Sequence, residues 1–122
     1  MSTYRQSLGR WGESQAAAYL AERGYQILDS NARTAYGEID LIASQDSITV
    51  FVEVKTRSST SFGLPEESIT PRKQAHILAA AQAYLQDHPE LDVDWRVDVI
   101  SILRKGRGRK PEIAHFENAI SP

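Results

Sequence analysis

The sequence predicts a single mixed α/β domain whose elements run helix, three strands, helix, two strands. Three observations carry this. Residues 7 to about 23 and 70 to 88 repeat apolar side chains at helical spacing, whereas 37–43, 48–55 and 93–103 alternate with the period of a strand. No internal repeat, linker or composition break divides the 122 residues. A chain of this length is large enough to bury about two-thirds of its unfolded surface.

The elements follow in order. The first helix collects Ala16, Ala17 and Leu20 on one face, and a short strand is expected near Tyr25 to Leu28. The run Gly37-Glu38-Ile39-Asp40-Leu41-Ile42 and the run Ile48 to Lys55 read as a hairpin across a short polar break. Residues 56 to 69 lack periodicity and are rich in small polar residues, so a mobile loop is expected there, with Phe62 and Leu64 as anchors. Thr70 and Pro71 make an N-cap and first-turn pair; Ile77, Leu78, Ala81 and Leu85 then recur at helical spacing until Pro89 stops the run. Val93, Trp95, Val97 and Val99 alternate with Asp94, Arg96 and Asp98, after which Ile100 and Ile102 make that strand apolar on both sides, as in a central strand. A shorter strand at 111 to 116 closes the chain.

The hairpin carries the chemistry. Ile48, Val50, Val52 and Val54 share one face of the second run, and Thr49, Phe51, Glu53 and Lys55 share the other. In the first run Ile39, Leu41 and Ala43 form the apolar face, leaving Glu38, Asp40 and Ile42 opposite. An even connection, Gln45-Asp46 or Ser44 to Ser47, unites the aliphatic stripes by setting Leu41 against Val50 and Ile39 against Val52. It also makes Asp40 and Glu53 diagonal neighbours, with Lys55 on the same face. An odd connection would split the stripe and is disfavoured.

A carboxylate pair at that separation suits a hard divalent cation such as Mg²⁺, which takes oxygen ligands, retains waters and completes its shell with phosphate. Lys55 would orient or help deprotonate an attacking water, or neutralise charge developing on a phosphodiester. Glu53 and Lys55 alone would read as a plain surface ion pair. Asp40 with matching parity, and the apolar Phe51 and Ile42 beside it, favour a covered site. Glu13 lies within about 60° of Ala16, Ala17 and Leu20 around the helix. It can reach the metal if that helix covers the charged face, or it can simply solubilise the first turn; both readings stand.

Five of the fourteen Lys and Arg residues fall in the seven positions Arg104-Lys105-Gly106-Arg107-Gly108-Arg109-Lys110. This reads as a basic hairpin tip able to hold a phosphate backbone, or as a solubilising loop. Arg57 and Lys73 are further candidates for phosphate contact, with Gln74 beside Lys73 in the first helical turn. His76, His88 and His115 lack metal-ligand spacing and are expected to be structural or at the surface; Tyr36 and Trp11 could stack bases but are expected in packing contacts. Without cysteine there is no disulfide framework and no thiolate metal site. No signal-like or membrane-spanning run occurs, so the cytoplasm is expected. The net charge of −2 does not advertise nucleic acid, which makes the distribution of charge the stronger guide.

Leu8-Gly9-Arg10-Trp11-Gly12-Glu13, Ala17-x-x-Leu20, Gly24-Tyr25, Gly37 to Ile42, Phe51 to Lys55 and Thr70-Pro71-Arg72-Lys73-Gln74 resemble the YraN-like family of small bacterial proteins over nearly the whole chain. That family is similar to the PD-(D/E)xK nucleases and to archaeal Holliday-junction resolvases. The resemblance implies a restriction-endonuclease-like αβββαβ core, a mixed sheet flanked by helices, here with an added C-terminal strand. It implies Glu13, Asp40 and Glu53 as metal-binding residues, with Lys55 completing the catalytic set; Ile39 stands where the superfamily motif has proline. The Val54 carbonyl is a further candidate ligand. The function expected is a Mg²⁺- or Mn²⁺-dependent endonuclease acting on DNA rather than RNA, with branched or structured DNA as the candidate substrate and a homodimer as the candidate assembly for so small a domain. The alternatives are a non-cleaving nucleic-acid-binding module and a protein-interaction domain with a vestigial site.

Overall fold

The computed structural model describes residues 3–58 and 69–122. The elements are α1 (Tyr4–Glu22), β1 (Gln26–Thr34), β2 (Gly37–Gln45), β3 (Ile48–Ser58), α2 (Pro71–Asp87), a short 3-10 turn (Pro89–Leu91), β4 (Asp94–Arg104) and β5 (Glu112–Ile120). This is the expected order. The five strands form one sheet in sequence order. Neighbours are antiparallel except β3 and β4, which run parallel and are joined through α2, so the sheet is mixed with a helix on each face.

The caps explain where the helices begin. Thr3 Oγ1 accepts the Gln6 N–H at 3.1 Å while Gln6 Oε1 accepts the Thr3 N–H at 3.0 Å, a reciprocal box that starts α1 ahead of its apolar face. Thr70 caps α2 by accepting the Lys73 N–H, with Pro71 at the first position, as expected.

Each helix seals one face of the sheet. Ala16 and Leu20 of α1 pack on Leu41, Ala43, Val50, Val52, Ile100 and Ile102; Ala80, Ala81, Tyr84 and Leu85 of α2 pack on Ile42, Phe51, Val97 and Val99. The alternation read for β3 therefore holds. Helix α1 does not lie over the charged face of the hairpin: it covers the aliphatic stripe, because that is where its small apolar face loses most water. Ile39 also departs from expectation, joining the α2-side cluster while Leu41, two residues on, faces α1. Alternation breaks at Asp40.

The hairpin connection is even, but displaced. Asp46 and Ser47 form it with φ of 52° and 66°, a left-handed pair that matches strand twist in a two-residue hairpin. Leu41 consequently pairs with Val52 and Ala43 with Val50, two residues from the expected register. Parity survives across the loop, so Glu53 and Lys55 keep the face of Phe51 and Ile42; continuing the register brings Asp40 level with Glu53 rather than diagonal to it.

Three boundaries also move. Strand β1 runs on through the polar segment 29–34, β5 extends to Ile120, and Thr56, Arg57 and Ser58 continue β3 instead of opening the loop. Phe62 and Leu64, with most of the expected loop, lie outside the described residues. No helix among the described residues is long and apolar enough to cross a membrane.

Candidate active site

Strands β2 and β3 part company at the candidate residues. Their ladder reaches Leu41↔Val52 and goes no further, although β2 stays paired to β1 as far as Gly37 and β3 stays paired to β4 as far as Ser58. Asp40 stands in the resulting split. Its Oδ2 accepts the Val54 N–H at 2.8 Å, taking the place of a backbone acceptor on the departing strand. In a strand the N–H and C=O of one residue leave by the same edge. The Val54 carbonyl is thereby aimed into the split as well.

Glu53 and Lys55 enter from the α2 face. Lys55 Nζ lies 3.4 Å from Glu53 Oε1, and both side chains are largely buried. Burial raises the pKa of Asp40 from 3.8 to about 7, helped by the Glu53 and Glu38 charges and opposed by the Val54 N–H and Lys55. Burial also raises Glu53, against the pull of Lys55, of the Asp40 carboxyl in contact with it, and of Lys73. Burial thus holds both carboxyl groups toward the protonated form in spite of Lys55 and Lys73.

Glu13 arrives from α1 by a different route. The Asn31 amide, oriented with its NH₂ toward the carboxylates, donates to Glu13 Oε2 at 3.0 Å, to Glu13 Oε1 at 3.1 Å and to Glu38 Oε1 at 2.8 Å. Asn31 holds φ at 51°, a left-handed conformation that asparagine tolerates better than most residues. Burial, then the charges of Asp40 and Glu38, raise the Glu13 pKa. Glu13 is thus an electrostatic neighbour of Asp40, linked to the site through Asn31 and Glu38.

Among the described residues no three His, Cys, Asp or Glu side chains converge as a ready-made cage for a metal. The donor set instead fits a cation that needs only one or two carboxylates and brings its own waters. Mg²⁺ and Mn²⁺ bind in that way; a zinc-type cage does not. Asp40 and Glu53 in contact, both pushed toward the protonated form, are what a divalent cation would relieve.

Two cavities share Glu38 as a wall. One of about 450 Å³, on the α2 side, is lined by Tyr36, Glu38, Glu53, Lys55, Arg72, Lys73, His76 and Ile77 among others. The other, about 570 Å³ on the α1 side, is lined by Arg10, Glu13, Asn31, Arg33 and Glu38 with Gln6 and Gly9. Lys73 reaches the first cavity, whereas Gln74 turns back to the Ile69 carbonyl at 3.2 Å and lines a separate apolar hollow.

The basic run forms the β4–β5 tip, as expected, with Gly106 and Gly108 at positive φ. Because β3 and β4 are parallel and Ser58 pairs with Arg104, the tip leaves the sheet at the end toward which Lys55 and Arg57 point along β3. Lys105 Nζ lies 3.2 Å from Glu112, and the Arg104 guanidinium sits 5.8 Å from the Trp11 ring centroid. Trp11 packs against the α1-side core, as expected.

Sequence reasoning gave Asn31 and Arg72 no role, put Glu38 on the face of Asp40 without a role, read His76 as structural or at the surface, and placed Tyr36 in a packing contact, whereas Tyr36 is 56% exposed at the rim of the first cavity and His76 lines it. Glu38 shares parity with Asp40, a signal available in the sequence. Asn31 and Arg72 had none. His88 stacks on Tyr84 and His115 is bound to Asp98, both structural, as expected.

Residues 12–102 match the model of a family described as the uncharacterised protein family UPF0102. A UPF0102 protein of Syntrophomonas wolfei is 49% identical over 112 residues, covering 92% of this chain and 96% of its own. Another, of Syntrophotalea carbinolica, is 46% identical over 119 residues, covering 98% and 95%. Among solved structures, SfsA of Pyrococcus furiosus in complex with Ca²⁺ aligns at a TM-score of 0.41 and 13% identity, covering 90% of this chain and 64% of that one.

Proposed function

The chain belongs to the UPF0102 family, and we propose that it is a Mg²⁺- or Mn²⁺-dependent endonuclease that hydrolyses phosphodiester bonds in DNA, with branched or structured DNA the substrate the family resemblance favours. One observation carries the reading: Asp40, Glu53 and Lys55 converge where β2 and β3 separate, with both carboxyl groups pushed by burial toward the protonated form.

Asp40 and Glu53 would hold the cation, with the Val54 carbonyl as a third protein oxygen. The cation would supply Lewis-acid stabilisation of charge on the phosphate. Asp40 is held in place by the Val54 N–H, and Glu53 by Lys55, so both carboxylates are oriented before substrate arrives. Lys55 presents its ammonium where it can position the attacking water and stabilise the non-bridging oxygens as that water bonds to phosphorus and the bond to the leaving oxygen breaks. Glu13 acts at the border of the site, through Asn31 and Glu38. Arg57, Lys73 and the tip residues Arg104, Lys105, Arg107, Arg109 and Lys110 would hold the backbone, independently of sequence.

The test is cleavage of end-labelled four-way junction, flap, duplex and single-stranded DNA with Mg²⁺ or Mn²⁺, comparing the parent protein with Lys55→Ala. Cutting by the parent alone supports the proposal and ranks the substrates. Equal cutting by both removes Lys55 from the chemistry; binding without cutting replaces the nuclease by a binding module.

A further inference from the structure

The α2-side cavity is lined by apolar and charged side chains together. Tyr36 stands on its rim in the two-residue turn between β1 and β2, and Ile77 and Ala80 of α2 give an apolar lining, while Lys55, Arg72 and Lys73 supply cations near Glu53. The tyrosine is exposed, yet its backbone is fixed: Thr34 Oγ1 donates to the Gly37 carbonyl at 2.8 Å and accepts the Tyr36 N–H at 3.1 Å. Gly37, next in the chain, holds φ at 125°, which completes the turn that fixes the Tyr36 backbone. An aromatic ring on a pinned turn loses little freedom on stacking.

We infer that this cavity is a subsite for one unpaired nucleotide adjoining the bond to be cut, its base stacked on Tyr36 and its phosphate held by Arg72 and Lys73. The inference rests on the endonuclease reading and narrows its substrate to nucleic acid with unpaired bases at the cleavage position. Size and chemistry favour this occupant. A volume of about 450 Å³ accepts a small ligand, not a double helix. A paired base keeps its faces inside the stack, whereas an unpaired one can present a face to a ring. A lining that sets Tyr36, Ile77 and Ala80 beside Arg72 and Lys73 matches a base joined to a phosphate.

The experiment uses the full chain with Ca²⁺ in place of Mg²⁺, and a single strand carrying one 2-aminopurine, free or annealed to its complement. The parent and Tyr36→Phe should bind the free strand more tightly than the duplex and quench its fluorescence. Tyr36→Ala should lose the quench and about tenfold in affinity for the free strand, with duplex binding unchanged. Tyr4→Ala removes an exposed tyrosine on α1 and should behave as the parent. Failure of the parent to prefer the free strand overturns the inference, as does Tyr36→Ala with an undiminished quench. The two readings fail separately. A parent that quenches but cuts nothing with Mg²⁺ or Mn²⁺ loses the nuclease and keeps the subsite; one that cuts while Tyr36→Ala binds and cuts equally well loses the subsite alone.

Discussion

Asp40 Oδ2 accepts the Val54 N–H at 2.8 Å across the split between β2 and β3. One carboxylate oxygen thus satisfies a strand that has lost its backbone partner, and the other is left for the site. Asp40→Asn should keep the structural half of this arrangement, since an amide oxygen also accepts, and lose the electrostatic half. At pH 5, where Asp40 is protonated in the parent, the variant's thermal midpoint should stay near the parent's, while at pH 8 Mn²⁺ affinity by calorimetry falls at least tenfold, and Glu53→Gln should weaken Mn²⁺ similarly. Asp40→Ala, which strands a partly buried N–H, should also cost about 1–3 kcal/mol of stability. Unchanged Mn²⁺ binding in Asp40→Asn and Glu53→Gln would reduce the pair to charged decoration.

The raised Asp40 pKa fixes a sign. Unfolded, the group titrates near 3.8; folded and free of metal, near 7. Between those values the folded state binds more protons than the unfolded one, so stability falls as pH rises and the full cost is in place above about pH 7. That cost is on the order of 4 kcal/mol. Urea denaturation of metal-free protein should show the decline from about pH 4 to 7, Asp40→Asn should flatten it, and Mg²⁺ or Mn²⁺ should offset it at pH 8. A flat profile for the metal-free parent would contradict the burial of charge at this site.

Much of this was legible locally and the rest was not. Asp40, Glu53 and Lys55 could be read because strand parity survives a two-residue error in register, and the sequence contains the parity. The register itself depended on Asp46 and Ser47 taking left-handed φ, which neither residue announces as Asn-Gly would. The side on which α1 packs depends on comparing two faces of a sheet not yet assembled. Strand β1 looked short because 29–34 is a polar edge, paired on one side only by β2. Asp98 was legible only as a polar member of an alternating strand, but its partners include His115, 17 residues away, while Tyr25 meets Arg96 across 71. Such clusters leave no local period.

Gly12 is where α1 touches the site strand. A Cβ there would overlap Thr56 Oγ1, so the helix approaches β3 only as closely as glycine allows. Gly12→Ala should gain helix propensity yet destabilise the protein by about 1–3 kcal/mol through overpacking, lowering the thermal midpoint. Thr56→Ala in the same background should restore only part, because Thr56 Cβ is also in the way. A neutral Gly12→Ala would deny the close approach.

Asp98 is completely buried and accepts from three groups: His115 Nε2 at 2.8 Å, the Arg96 guanidinium at 3.0 Å and the Asn118 N–H at 2.9 Å. Burial would raise its pKa, but the hydrogen bonds from His115, Asn118 and Arg96 outweigh it and hold the carboxyl below 3.8. Its contribution to stability is therefore complete above the ordinary carboxylate value and is lost as pH falls through the lower folded value. Asp98→Ala should cost about 3–5 kcal/mol by leaving a buried arginine and histidine without their acceptor. Denaturant midpoints at pH 6 would show it, and a loss below 1 kcal/mol would contradict the network.

The β4–β5 tip tests the proposed grip on nucleic acid without touching the chemistry. Arg107, Arg109 and Lys110 lie in a turn shaped by Gly106 and Gly108 at positive φ, and the parallel pairing of β3 with β4 sends that turn out beyond Lys55. Each phosphate contact that releases a counterion contributes roughly 0.9 to the slope of log affinity against log salt on duplex DNA. Replacing all three residues with alanine should reduce that slope by up to about 3 and weaken all sequences alike, because backbone contacts carry no sequence information. Fluorescence anisotropy from 50 to 300 mM salt measures it. Identical slopes for parent and triple variant would make the tip a solubilising turn and leave the backbone to Arg57, Arg72 and Lys73.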